Sequence, residues 1–265
     1  MITESDTQRP PRELSIEEVL TRTFELYSRK FAIFLIPVVI ASLTTGILSI
    51  PLRNYVEGAM ADLEPSAPPE VVLEWFNTYL PTLLCMTAVV IIISLIVNAI
   101  AHGICIKFAS DLIEKGDASL EEALHFTVYK FFSLLVVAII TGILTALGFV
   151  ALVVPGIILT IMFCLVVQVI IIEDVGALDS LSRSRRLVSN RWLKTFVLLL
   201  IVYAMILFVS FVGSLIGTPF GDAGSVVSSI LAAFVQPILP ISLTVYYYSM
   251  LAKEEQLRVP PPPPF

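Results

Sequence analysis

Six long apolar segments without a single Asp, Glu, Lys or Arg dominate this chain. A helix needs ~20 mostly apolar residues to cross the ~30 Å hydrocarbon core of a bilayer. Segments of about this length, each uncertain by a turn at its ends, are 31–52, 83–106, 131–154, 157–172, 195–216 and 225–251. We therefore predict an all-α polytopic integral membrane protein with six transmembrane helices.

The amino-acid composition agrees with a membrane protein and excludes most soluble classes. Hydrophobic residues make up 57% and charged residues 14% of the 265 residues, against ~45–50% and ~25% in soluble domains. The mean hydropathy is +0.92. These values exclude a disordered chain, a coiled coil, a disulfide-stapled secreted module and a water-soluble enzyme.

The basic residues are distributed unequally between the two sides of the predicted spans. Six spans place both termini on one side, and all but Arg53 of the 16 Lys and Arg residues lie there too. The positive-inside rule makes that side cytoplasmic. We expect a multi-pass protein of the cell membrane with cytoplasmic N- and C-termini. The first 30 residues lack an apolar stretch with a cleavage site, so we expect no signal peptide.

A short sequence pattern precedes spans one, three and five. Its three copies are Ser15–Leu20, Ser119–Leu124 and Gly176–Leu181. A hydroxyl residue follows each final leucine by three positions, at Thr23, Thr127 and Ser184. The first two copies contain S-x-x-E, the capping box that satisfies amide donors at the start of a helix. The pattern therefore indicates an internal repeat whose units each begin with a helix.

The repeat predicts the arrangement of the spans. Apolar residues recur at helical spacing between charged ones after each start, as in a helix that lies in the headgroup plane. We predict three hairpins, each preceded by a cytoplasmic amphipathic interfacial helix. These helices are predicted at about 14–30, 118–130 and 177–191. Because every copy begins on the same side, the repeat is parallel rather than inverted.

One membrane domain is predicted, over residues 14–252. A disordered N-terminus, 1–13, precedes it, and a proline-rich tail, 253–265, follows it. The five consecutive prolines of the tail favour a polyproline II conformation. They form either a docking motif or an unstructured terminus.

A cluster of basic residues marks the third interfacial helix. It consists of Arg183, Arg185, Arg186, Arg191 and Lys194. Beside anionic headgroups each basic residue contributes ~1 kcal/mol, which makes the cluster a candidate lipid-headgroup contact. The alternative is that it only fixes membrane orientation. The expected partners are membrane lipids, with anionic phospholipids, a homo-oligomer or another membrane protein as candidates; no nucleic acid is expected.

Isolated polar side chains inside the spans form a candidate intramembrane polar site. They are Asn98, His102, Gln168 and Gln236. Polar groups at membrane depth are costly and often functional. The alternative is hydrogen bonding between helices, for which the small residues Ala99 and Gly103 provide close approach. Pro237 and Pro240 follow Gln236 and are expected to kink the sixth span.

Residue patterns that carry catalysis are missing from the sequence. With two histidines, and three cysteines inside apolar segments, we expect no metal site, no cofactor and no disulfide. Glu173 and Asp174 are adjacent carboxylates, which we expect at the start of the third interfacial helix, where negative charge is favoured. No Ser-His-Asp order, P-loop or dinucleotide motif occurs in a suitable context. No catalytic residue is predicted.

Several segments together carry a family resemblance. They are Leu152–Leu159 (LVVPGIIL), Glu173, Ala177–Ser184 (ALDSLSRS), Trp192, Leu14–Phe31 and Tyr246–Ser249 (YYYS). This set resembles the membrane domain of the glycerophosphoryl diester phosphodiesterase family and related six-helix membrane proteins of bacteria and archaea. Ser249 and Ala252 stand where charged residues usually follow the tyrosines in that family. The resemblance implies a six-helix membrane domain but no hydrolysis, because that activity resides in a separate soluble domain for which we expect no room here.

The predicted function is that of a non-catalytic, lipid-associated or accessory membrane module. The alternative is a small-solute transporter or exporter that uses the intramembrane polar site. Against it stands the lack of an ionised group in the spans, which most proton-coupled carriers need. A third hypothesis is a membrane enzyme of phospholipid or glycerophosphodiester metabolism, which lacks a catalytic constellation here.

Overall fold

The computed structural model describes residues 9–64, 66–217 and 230–258, and these residues form helices without strands. The helices are α1 Ile16–Arg29, α2 Phe31–Ala61, α3 Pro69–Lys115, α4 Leu120–Tyr129, α5 Phe131–Ala151, α6 Val153–Phe163, α7 Val166–Glu173, α8 Ala177–Ser189, α9 Trp192–Gly217 and α10 Ile238–Arg258. The predicted start of the sixth span at 225, the end of the proline-rich tail and the first eight residues lie outside the described residues.

Six helical stretches of the described chain are long and apolar enough to cross a membrane. They are Phe31–Ala61, Pro69–Lys115, Phe131–Ala151, Val153–Glu173, Trp192–Gly217 and Ile230–Gln256. The fourth stretch combines α6 and α7, and the sixth adds a turn before α10. The prediction of an all-α polytopic protein with six transmembrane helices is confirmed.

Helices occupy all three positions predicted for the interfacial elements. At α1 the capping box forms, because Ser15 Oγ accepts from the Glu18 amide and Glu18 accepts from the Ser15 amide. At α4 the capping box does not form, since the Ser119 side chain makes no capping hydrogen bond. Asp117 instead accepts from the Ala118 amide at 2.9 Å.

Two positions of the predicted repeat are completely buried at each of its three predicted copies. The first position is Val19, Ala123 and Ser180, and the second, one turn later, is Thr23, Thr127 and Ser184; all six are 0% exposed. The threonine hydroxyls donate to carbonyls of their own helices, whereas Ser184 donates to Met162 O of α6. Equivalent repeat positions thus have equivalent burial.

Helices α2 and α3 are longer than the predicted spans 31–52 and 83–106. At 1.5 Å per residue the 47 residues of α3 extend ~70 Å, more than twice the hydrocarbon thickness. The segment from Pro69 to the start of the predicted second span is continuous with α3. It is held because Trp75 Nε1 donates to Ala59 O at 2.6 Å and Tyr79 hydroxyl donates to Asp62.

The connection between α5 and α6 differs from the one implied by the predicted spans 131–154 and 157–172. A single extended residue, Leu152, separates the two helices, and Pro155-Gly156 lies within the first turns of α6 rather than between the spans. Pro155 is tolerated there because the amides of a first helical turn have no partner within the helix. The spans predicted as 131–154 and 157–172 are therefore 131–151 and 153–173.

Gly148 permits the close approach of α5 and α6. A Cβ at this residue would lie 3.0 Å from Gly156 Cα and 2.8 Å from Leu159 Cδ1. We expect Gly148→Ala to destabilise the protein by about 1–2 kcal/mol, because backbone must move. Gly142→Ala on the same helix, where a Cβ meets nothing within 4 Å, is the matched control and should be neutral or stabilising. Thermal unfolding in detergent measures both; equal unfolding temperatures would contradict the expectation.

The core surrounds α10, which has buried residues along most of its length. Tyr246, Tyr247 and Tyr248 are among its fully buried side chains. The helices that pack around α10 are α1, α3, α7 and α9. Most core residues of the spans come from the span ends that lie nearest α1 and α4. The opposite halves of α2, α5 and α9 expose large apolar side chains such as Ile47, Leu147 and Phe208. Such surfaces suit contact with lipid tails.

Candidate functional site

Arg183 of α8 is bound to two carboxylates of its own chain. Its Nε donates to Glu173 Oε1 at 2.8 Å, and its Nη atoms donate to both oxygens of Glu254 at 2.8 and 3.0 Å. The hydrogen bonds to Glu254 raise the pKa of Arg183, burial opposes this rise, and Glu173 adds to it. The predicted headgroup contact Arg183 therefore forms an ion-pair bridge between α7, α8 and α10.

Two further residues of the basic cluster converge on Glu13, which precedes α1. Arg191 Nε, Lys194 Nζ and Lys253 Nζ lie 3.0, 2.8 and 2.6 Å from its carboxylate oxygens. Burial alone would raise the pKa of Glu13, but the hydrogen bonds from Lys194 and Lys253 lower it to about 2. Arg191 and Lys194 thus balance a carboxylate of this chain.

Arg185 and Arg186 complete the predicted basic cluster, and both are exposed. No acidic side chain among the described residues lies within ion-pair distance of either guanidinium. Arg185 lines a cavity of about 350 Å³ between α6, α8 and the start of α9, which we call the α8 groove. Its other described lining residues are Ile158, Ile161, Met162, Val188, Ser189 and Trp192. The groove therefore combines an apolar wall with a cation.

The tyrosines of α10 connect the ionic contacts on the side of the molecule where α1 and α8 lie. Tyr247 hydroxyl donates to Glu173 at 2.6 Å, so this carboxylate serves both Tyr247 and Arg183. Tyr248 hydroxyl donates to Glu114 at 2.8 Å, and Arg9 also donates to Glu114. These contacts hold α10 in place.

Glu173 and Asp174 do not lie at the start of α8 as predicted. Asp174 ends α7 in a left-handed conformation with φ of 57° and pairs with Lys130, and Gly176 is the residue before α8. Glu173 faces Arg183 and Tyr247 instead. The two carboxylates therefore serve different ion pairs and do not act as one unit.

The structure brings together two of the four predicted intramembrane polar residues. Asn98 of α3 and Gln236, in the turn before α10, line a cavity of about 260 Å³. His102, one turn beyond Asn98, is half-buried and is not one of the described lining residues. Gln168 of α7 is 2% exposed, and its Oε1 has no hydrogen-bond partner among the described residues. His102 and Gln168 are thus separate from this cavity.

The remaining lining residues of this cavity were not predicted from the sequence. Ser42, Thr45, Gly46 and Ser49 of α2 lie on one side, and Ala232 lies near Gln236. We call the space between these residues, Asn98 and Gln236 the polar cavity. The signal was present in the sequence, because positions 42, 45, 46 and 49 have the i, i+3, i+4, i+7 spacing of one helix face.

Comparison with known proteins gives one family. Residues 27–250 match the family described as Domain of unknown function (DUF7847). The chain belongs to this family. No curated protein and no solved structure matches it significantly.

The DUF7847 segment includes both cavities and the three tyrosines of α10. It also includes Arg183 and its partner Glu173. Glu13, Lys253 and Glu254 lie outside the matched residues. The two ion-pair clusters therefore join the family segment to residues that flank it.

Proposed function

We propose that this DUF7847 protein is a non-catalytic, lipid-associated module of the cell membrane, and that it binds an anionic phospholipid in the α8 groove. The observation that carries the proposal is Arg185, a cation with no described acidic partner at the edge of an apolar cavity. A phospholipid offers an acyl chain for Ile158, Ile161 and Val188 and a phosphate for the guanidinium. Arginine forms strong, charge-assisted hydrogen bonds with phosphate oxygens.

The surroundings of the groove support a position at the membrane surface. Trp192 is 56% exposed at its edge, and tryptophan is enriched at the headgroup level of membranes. Arg186 lies one residue beyond Arg185 and adds a second exposed charge. The helix α8 buries Ser184, Leu187 and Val188 and exposes both arginines, as an interfacial amphipathic helix does.

The proposed arrangement has three hairpins, with α1, α4 and α8 as cytoplasmic interfacial helices. The placement of the basic residues supports cytoplasmic N- and C-termini. The buried repeat positions support a parallel threefold repeat. The proposal includes a relationship to glycerophosphoryl diester phosphodiesterase membrane domains, which is supported by the resemblance of the sequence segments alone.

Arg185→Gln is expected to reduce retention of phosphatidylglycerol about fivefold, since one headgroup contact contributes ~1 kcal/mol. Native mass spectrometry of gently solubilised protein measures bound lipid directly. Arg186→Gln is the matched control, because it removes the same charge from the neighbouring residue outside the described lining of the groove. Equal retention by the parent and Arg185→Gln, or equal losses in both variants, would count against a specific site.

A small-solute transporter is the second candidate function, and the polar cavity is the observation that favours it. Transport would require this cavity to open alternately to the two sides. Uptake of a solute by proteoliposomes, abolished in an Asn98 or Gln236 variant, would establish this function in place of the first.

A further inference from the structure

The polar cavity is lined by hydrogen-bonding groups in a part of the molecule that faces hydrocarbon. Each unsatisfied polar group in hydrocarbon costs several kcal/mol, so such groups require partners. Thr45, Ser49 and Asn98 donate to the carbonyl oxygens of Ala41, Gly46 and Ser94, respectively, within their own helices. Ser42 donates to Gln236 Oε1 at 3.4 Å, across the cavity. These contacts use only part of the hydrogen-bonding capacity of the lining.

The unused capacity comprises both donors and acceptors. No described residue hydrogen-bonds to Asn98 Oδ1 or to the Nε2 amide group of Gln236. The hydroxyl oxygens of Thr45 and Ser49 each retain lone pairs for a donor. A ligand that satisfies this lining needs groups that both donate and accept, and hydroxyl groups do so at every position.

The lining also determines the charge of the ligand. None of the described lining residues is Asp, Glu, Lys, Arg or His. An ion at membrane depth without an opposite charge is strongly disfavoured. The described lining offers no counter-charge to an ion and suits an uncharged ligand.

The volume determines the size of the ligand. The cavity volume of about 260 Å³ is smaller than the ~300–1,000 Å³ that is typical of binding sites for drug-sized molecules. It equals the volume of about nine waters at ~30 Å³ each. A polyol of three or four carbons fits this space.

We propose that the polar cavity binds a small uncharged polyol. The site shares no residue with the α8 groove, so this proposal goes beyond lipid binding and stands or falls separately. Binding occurs by exchange of hydrogen bonds, with Asn98 Oδ1 accepting from the polyol and Gln236 Nε2 donating to it. Gly46 leaves the space open because it has no side chain.

Gly46→Leu provides a variant that fills the cavity. A Cβ at Gly46 meets no atom within 4 Å, so the new side chain enters open space. Gly142→Leu is the matched control, since a Cβ at this exposed glycine of α5 also meets nothing within 4 Å. Leucine is a good helix former at both positions, so both variants are expected to fold.

The experiment is saturation-transfer difference NMR on the full chain in phosphatidylcholine nanodiscs, with erythritol as the probe. Erythronate, which replaces one terminal hydroxymethyl group with a carboxylate, is the charged comparison. We expect an erythritol signal for the parent and for Gly142→Leu, and at least a fivefold smaller signal for Gly46→Leu. Asn98→Leu, which removes the acceptor without adding bulk at Gly46, should reduce the signal similarly.

Three results would overturn the proposal. They are the absence of an erythritol signal with the parent, an undiminished signal with Gly46→Leu, and an erythronate signal equal to that of erythritol. Thermal unfolding of each variant is recorded first, and Asn98→Leu decides the outcome if Gly46→Leu does not fold. Loss of lipid from the α8 groove leaves all of these expected signals unchanged.

Discussion

Glu13→Gln is expected to destabilise the protein by about 2–3 kcal/mol. The substitution removes the counter-charge of three cations whose nitrogens lie within 3.0 Å of the Glu13 carboxylate. Arg191, Lys194 and Lys253, whose side chains are 16%, 25% and 40% exposed, then repel one another. The cost is below that of a fully buried pair because the Glu13 side chain is 19% exposed. Unfolding by SDS in mixed micelles measures the change.

The pH dependence of this effect identifies the carboxylate as its source. Because folding lowers the pKa of Glu13 from 4.5 to about 2, its stabilisation is fully present above pH 4.5 and is lost as the pH falls towards 2. The stability difference between the parent and Glu13→Gln should therefore shrink by more than half between pH 7 and pH 3. Glu17→Gln, an exposed neighbour on α1, should change stability at neither pH. A difference that is constant with pH would show that packing, not charge, holds this segment.

The spans of this protein are predictable because they follow from a single physical requirement. Backbone groups in hydrocarbon must be hydrogen-bonded within the segment, so a long apolar stretch must be helical. The ends of the spans are less predictable, because they depend on contacts between helices. The start of α3 at Pro69 is held by Trp75 against α2, and the turn at Leu152 depends on the close fit of Gly148 and Gly156.

The roles of the basic residues were not predictable from their clustering in sequence. Arg183 and Glu254 are 71 residues apart, and Lys253 and Glu13 are 240 apart. The packing of α10 against α1 and α7 brings these charges together. The polar face of α2, unlike the roles of the basic residues, could be predicted from residue spacing in the sequence. Its proximity to Gln236 could not, because only the tertiary fold brings the two together.

Arg183→Gln is expected to cost about 3 kcal/mol in the free energy of unfolding, the second large effect. The Arg183 side chain is 15% exposed and pairs with both Glu173 and Glu254. Its removal leaves two partly buried carboxylates close together, and Tyr247 remains as a neutral donor to Glu173. Arg186→Gln, an exposed arginine on the same helix, should change stability by less than about 0.5 kcal/mol.

A double-variant cycle separates the ion-pair role of Arg183 from a lipid-headgroup role. If the ion pair is responsible, Glu254→Gln should reduce the cost of Arg183→Gln by about 1–2 kcal/mol, because the two side chains hydrogen-bond directly to each other. The coupling should be the same in micelles with and without phosphatidylglycerol, since both partners belong to the protein. A cost that appears only with the anionic lipid and does not depend on Glu254 would instead make Arg183 a headgroup ligand. The cycle therefore tests whether the basic cluster contains residues with two different roles, in which Arg183 stabilises the fold and Arg185 binds the lipid.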